Sequence, residues 1–394
     1  MRILVASHTY IVDLNCEKLR ELSRLEPGIE VTVVVPKRWK PGGVQNKIIE
    51  TQYRDEGAFK IVPLSNFSQN HQGLLTFGVE LISLLQQFRP DIIHVEQGSR
   101  GLSYTQMIIL NQLLKLKAKN VFFTWWNLPY QLKLPIALLE KYNLNNSDGI
   151  ICGNQDGAKI LQQRGYQGLI KIMPQLGVDE NRFTPQPQTE LAAKLGIKPG
   201  EFIVGFVGRF VQEKGLLTLL KALVTLQDRP WKLLLLGRGI LQAELLKIAT
   251  ENNLKERVIL IESVPHDAVA NYINLMSTLV LPSETTYNLK TLTATGWKEQ
   301  FGHVLIEAMA CKVPVIGSDS GEIPHVIGDA GLVFPEGNVQ ALANCLVQLM
   351  EKSEFAQRLS QMGYQKAISK YTNKALAQQQ LEFYKELVSR GSSH

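Results

Sequence analysis

Cysteine is scarce in this 394-residue chain: Cys16, Cys152, Cys311 and Cys345 are scattered, with no C-x-x-C and no regular spacing. That excludes a disulfide framework and a zinc site, and it points to the cytosol as the compartment. Long hydrophobic runs are missing too. No stretch reaches the ~18 uncharged apolar residues of a membrane span. Residues 1–7 enter a strand-like pattern without a basic, then apolar, then small-residue leader, so a soluble, unprocessed protein is expected. Nor is charge concentrated. The formal net charge is +6, nearly all of it before residue 186, and no aromatic-interleaved basic stripe accompanies it, which argues against nucleic acid as a partner.

What is present is a repeated α/β grammar. A chain of 394 residues with 45% hydrophobic content is too long for one ordinary core and suggests two domains. Strand-like runs recur at residues 3–6, 30–35, 59–64, 91–95, 121–125 and 150–152. Between them lie helical patterns, clearest at 17–25, 74–88, 104–116 and 134–142. Such alternation indicates a parallel, doubly wound sheet. After a Pro-rich stretch at 181–188 the grammar restarts, with strands at 202–207, 231–236, 258–261, 278–281, 313–316 and 331–334. The expected fold is two Rossmann-like domains, 1–185 and 186–370, followed by a helix at 371–390 that returns toward the first domain. That helix ends a long amphipathic stretch at 355–388, and residues 391–394 read as a tag remnant.

One segment stands out as a ligand site. Glu299 and Glu307 lie eight positions apart around Gly302, ahead of Ala308-Met309-Ala310. On one continuous helix the two carboxylates would diverge by about 80°. A break near Gly302 fits better, with Glu299 in a loop and the amides of Gly302, His303 and Val304 opening a helix able to receive a phosphate. The segment lies between two strand-like runs, where open α/β sheets bind ligands. Upstream, Gly208-Arg209 ends a strand and Glu213-Lys214-Gly215 begins the next helix, so two cations share a turn suited to a diphosphate. Leu236-Gly237-Arg238-Gly239 closes the following strand with a second glycine turn. Asp-x-Asp, the usual carboxylate pair for a metal–diphosphate complex, is absent, so Arg209 and Lys214 are expected to neutralise the diphosphate with no metal or other cofactor.

Taken together, Gly208-Arg209 with Glu213-Lys214-Gly215, Leu281-Pro282-Ser283, and Glu299 through Glu307 resemble the retaining family-4 glycosyltransferases, the glycosyl transferases group 1. Residues 175–183 are similar to that family's interdomain stretch and residues 90–94 to its first-domain strand. The resemblance implies GT-B architecture: two Rossmann-like domains facing a central cleft, with a C-terminal helix crossing back to the first. It implies transfer of a hexosyl group, with retention, from a nucleotide-diphosphate sugar to a hydroxyl acceptor, a glycan, lipid or small molecule, as in polysaccharide biosynthesis. By position it makes Arg209, Lys214 and Glu299 catalytic. Glu307 would hold the nucleotide ribose, Gly208 and Gly237 would shape the donor loops, and Phe301, Gly302, His303 and Val304 would contact sugar and phosphate through their amides. Closure about 185–187 would complete the site.

The chain departs from the family pattern at three places. Ser7-His8-Thr9-Tyr10 replaces a glycine-rich loop after the first strand, and His8 becomes a candidate acceptor contact. No histidine follows Thr124-Trp125-Trp126-Asn127, so Asn127 and Trp126 are the sugar-side candidates. A Thr-rich insert at 284–298 precedes Glu299 and is expected to line the acceptor or donor-sugar pocket. The basic, apolar run 113–119 reads as a helix end and leaves peripheral membrane association, at the inner face, open. The rival functions are a GT-B nucleotide-sugar epimerase and a non-catalytic sugar-nucleotide-binding subunit of a polysaccharide assembly complex.

Overall fold

A computed structural model describes residues 1–40, 47–290 and 295–391. They form two compact units: Met1–Gly177 together with the chain from Asn373 onward, and Val178–Thr372. The tag-like residues 392–394, and residues 291–294 of the insert, lie outside the described residues.

In the first unit one sheet contains β1 (Arg2–Ala6), β2 (Glu30–Pro36), β3 (Arg54–Asp55), β4 (Phe59–Leu64), β5 (Ile92–Val95), β6 (Lys119–Thr124), β7 (Gly149–Cys152) and β8 (Leu169–Ile172). Its order is β8-β7-β6-β5-β1-β2-β4-β3, parallel throughout except where β3 meets β4. The central strands are buried on both faces, which explains why they read as continuous apolar runs. Ile3 and Val5 join one core with Val31 and Val33; Leu4 and Ala6 join the other with Val34. The first core is covered by α1 (Glu17–Arg24), the second in part by α2 (Leu102–Leu113), which runs beside α3 (Ile136–Asn145).

The second unit is built the same way. β9 (Phe202–Val207), β10 (Trp231–Leu236), β11 (Val258–Ile261), β12 (Thr278–Leu281), β15 (Val315–Ser318) and β16 (Leu332–Phe334) form a parallel sheet in the order β11-β10-β9-β12-β15-β16. The intervening β13 (Thr286–Lys290) and β14 (Thr295–Trp297) make a separate antiparallel hairpin from the insert. Helices α4 (Leu216–Val224), α5 (His303–Ala310) and α6 (Ser353–Lys370) belong to this unit, and α7 (Asn373–Gly391) to the first. The winding direction reverses between β9 and β12. That switch point leaves a crevice at the strands' carboxyl ends, because the loops on its two sides fold away from each other.

The structure differs from the sequence expectations in several respects: β3, β13 and β14 are additional short strands, and the helix expected at 74–88 begins only at Glu80. β8 was not expected; it is a half-buried edge strand, Leu-Ile-Lys-Ile, too short and too mixed to stand out. The amphipathic stretch at 355–388 is two helices, broken at Tyr371-Thr372, where Val178 donates to the Tyr371 carbonyl at 2.8 Å and bridges Thr372. The units divide at 177/178 and 372/373 rather than at 185/186 and 370/371. The Pro-rich stretch belongs to the second unit: Phe183 is buried, Asn274 donates to the Thr184 carbonyl at 3.0 Å, and Gln186 donates to the Asn274 side chain at 3.0 Å.

Candidate active site

At the switch point of the second sheet, the loop after β9 is fastened to the loop after β12. A Cβ on Gly215 would lie 1.8 Å from the Pro282 carbonyl oxygen, so only glycine permits this approach. Glu284 donates its amide to the Glu213 carbonyl at 2.9 Å, and Thr218 on α4 donates to the Glu284 carboxylate at 2.5 Å. These fastenings fix Lys214. Its ammonium reaches the Glu299 carboxylate at 2.5 Å and stands over the Trp297 ring at 4.9 Å. Ser283 donates to the same carboxylate oxygen at 2.8 Å.

Glu299 is therefore a fixed acceptor; its side chain is only 9% exposed. Its carbonyl accepts the Glu322 amide at 3.3 Å, which joins it to the loop after β15. Gly302 then takes φ +85°, as the break between the two carboxylates required, and α5 begins at His303. The first amides of that helix have no acceptor within it; Leu305 donates to the Gly302 carbonyl at 2.9 Å, and the helix start carries the positive end of its dipole. Phe301 is buried, its ring 4.9 Å from His303 and 5.7 Å from Tyr371, so its side chain is committed to packing. Val304 is partly buried on the first turn.

Glu307, one turn further along, is separate from the Lys214–Glu299 pair. Burial pushes its carboxyl up to about 7, and the Arg182 charge opposes that shift. Arg209 is different again: its guanidinium side chain is 70% exposed, with Glu213 at 3.9 Å. It is a cation held at the loop's outer edge. Gly208 and Gly237 lie where the loops after β9 and β10 run backbone to backbone, stitched by Gly208 to Leu236 at 3.0 Å and Phe210 to Arg238 at 2.9 Å. Two contributors escaped sequence reading. Ser283 was visible only as part of Leu-Pro-Ser, and Trp297 as one residue of an insert; a small polar residue ending a buried strand was the one available signal.

The weaker candidates lie in the first unit. His8 follows β1, its ring 5.0 Å from Trp39, and burial pushes its imidazole down to about 4. Trp126 is committed internally, since its indole N–H donates to the Leu128 carbonyl at 2.5 Å and Arg100 stacks on its ring at 5.0 Å. Asn127 is buried beside it in sequence. The groups that join these loops went unnoticed in the sequence. Glu96, after β5, accepts from Tyr10 at 2.8 Å and from Gln175 at 2.7 Å, and Gln175 accepts from Trp125 at 3.0 Å. His94 is wholly buried against Tyr384 of α7 at 2.7 Å.

Two doubly wound units in one chain define the GT-B architecture. Over 98% of its length this chain superposes on the whole of Anabaena HepE, solved with UDP, at a TM-score of 0.72 and 17% identity. Over 99% of its length it superposes on the whole of a sucrose-phosphate synthase from Thermosynechococcus elongatus, at 0.68 and 20% identity. Residues 187–366 match the family model described as glycosyl transferases group 1. Among curated relatives, the N-acetyl-alpha-D-glucosaminyl L-malate synthase of Bacillus anthracis is 27% identical over 54% of this chain and 52% of its own length. A putative teichuronic acid biosynthesis glycosyltransferase of Bacillus subtilis is 29% identical over 45% of this chain and 40% of its own. The match thus spans about half the length of these relatives. Among the described residues, no helix is long and apolar enough to cross a membrane.

Proposed function

We propose that this protein is a retaining glycosyltransferase that moves a hexosyl group from a nucleotide-diphosphate sugar to a hydroxyl acceptor, without a metal. The observation that carries the reading is the Lys214–Glu299 pair, fixed by Ser283 and Trp297 at the switch point of the group 1 unit, with Arg209 exposed on the same loop. A diphosphate leaving C1 of the sugar takes the bonding electron pair with it. Fixed cations at that place lower the cost of its departure. The acceptor oxygen then bonds C1 on the face the diphosphate leaves, and its hydroxyl proton passes to an oxygen of the departing diphosphate. Glu299 would accept from sugar hydroxyls, Glu307 from the ribose, and the opening amides of α5 would meet sugar and phosphate oxygens. Structures of Anabaena HepE in complex with UDP and with UDP-glucose lend support to a nucleotide-sugar donor.

The test is a thermal-shift panel of UDP, GDP, ADP and their sugar conjugates with EDTA present, because a ligand that binds the folded state raises its midpoint. Selective stabilisation by one nucleotide, lost in Lys214→Ala, is the expected result. The absence of a shift with every nucleotide would sink the donor-site reading. Conversion of the nucleotide-sugar with no acceptor would instead favour an epimerase, and nucleotide binding unaccompanied by turnover with any acceptor would favour a binding subunit.

A further inference from the structure

Between Glu96 and Glu140 the chain carries no acidic residue, yet Arg100, Lys115, Lys117, Lys119 and Lys133 fall within that interval. The interval builds one side of the first unit: α2, β6 and the segment leading into α3. Helices α2 and α3 are joined by Thr105 to Asn143 at 2.8 Å and Gln112 to Asn146 at 2.9 Å. Their outward surface is apolar. Leu113 and Leu134 are each 72% exposed and Leu138 60%, with Ile109 and Ile136 exposed as well. An isolated exposed leucine is ordinary; Leu134, Ile136 and Leu138 in close succession are not.

This run is rigidly rooted. The Tyr130 ring lies between the guanidinium groups of Arg100 at 4.4 Å and Arg164 at 4.5 Å, and its hydroxyl donates to Glu140, which also pairs with Arg164. Glu140 is itself buried, so the acid that ends the interval points inward. The charges left on the surface of the two segments are Lys115, Lys117, Lys133 and Lys141, all exposed. Exposed leucines among lysines, without an exposed carboxylate, are complementary to an anionic headgroup layer. The apolar side chains enter the acyl boundary while the ammonium groups meet phosphates.

We propose that this face of the first unit, centred on residues 131–141 and extended by Leu113 to Lys117, docks on an anionic lipid surface. Docking stands independently of the glycosyl-transfer reading. If that reading holds, the segment's place directly after Trp126 and Asn127 would bring a lipid-held acceptor to the carboxyl edge of the first sheet.

The experiment is sedimentation of the full chain with vesicles of phosphatidylcholine alone, and with about one-third phosphatidylglycerol added. Binding is expected only to the anionic vesicles and should weaken as salt rises. Lys133→Glu with Lys141→Glu should weaken it by about twenty-five-fold or more, given roughly fivefold per lysine near the surface. Leu134→Asp with Leu138→Asp should abolish it. Both double variants should keep the wild-type melting midpoint, since every changed side chain is exposed. Failure to sediment with anionic vesicles would overturn the proposal, as would wild-type binding by both variants. So would light scattering that shows a dimer dissociated by the leucine changes, which would assign the face to a second copy of the chain.

Discussion

Lys214 and Glu299 depend on each other, and their separation has two consequences. Lys214→Ala should lower kcat by about 10²–10³, the usual cost of losing one fixed group that stabilises developing charge. It also leaves a buried carboxylate without its cation, so the melting midpoint should drop as well; unchanged turnover in the folded variant would remove Lys214 from the chemistry. Glu307 makes a pH prediction. Its folded carboxyl keeps a proton up to about pH 7, whereas in the unfolded chain it ionises near the ordinary carboxylate value. Between those points the folded state binds more protons, so Glu307 costs stability as pH rises through the window, and Glu307→Gln should flatten that part of the Tm profile. If the ionised form accepts the ribose hydroxyls, nucleotide affinity in the wild type should rise about tenfold from about pH 6 to about pH 8. A flat binding profile would take Glu307 out of the ribose contact. Lys214 and Glu299 could each be singled out because they stand beside apolar runs, but their pairing could not. Ser283, Gln175 and Trp297 were not legible, because their partners lie on other loops and nothing in their neighbours' pattern marks them.

At the scale of elements, the insert proves to be a hairpin whose last residue supports the site's lysine. Trp297→Ala removes a cation–π partner worth about 0.5–2 kcal/mol, so kcat should fall between about twofold and thirtyfold, with Trp297→Phe intermediate. Equal rates for all three proteins would leave the ring a merely structural neighbour. Replacing the insert with a short Gly/Ser loop should change which substrates are accepted, as measured by kcat/KM across a panel of donors and acceptors. The break at Gly302 could be read in advance because two carboxylates and a glycine constrain one turn. The break at Tyr371-Thr372 could not. Both flanking segments are good helix formers, and the interruption comes from backbone bonding to Val178, far away in sequence.

At the scale of the whole molecule, the second unit is one unbroken segment and the first is not. A fragment spanning Val178–Thr372 should fold alone and retain the nucleotide-induced thermal shift. A fragment ending at Gly177 should not fold, since it lacks Leu376, Leu381, Tyr384 and Leu387, which fill the core on α1. At about 2 kcal/mol per buried side chain their loss is comparable with a domain's entire stability. The doubly wound halves were legible from alternating runs; the division was displaced because prolines mark a bend in the chain whether or not a boundary coincides with it. The discontinuity also sets an order of events during synthesis. On the ribosome the second unit is complete once residue 372 has emerged, while the sheet made first still waits for α7 with one apolar face only partly covered, by α1. Of the two units, the one begun first is therefore the last to be finished, and a premature stop within α7 injures the sheet that contains β1.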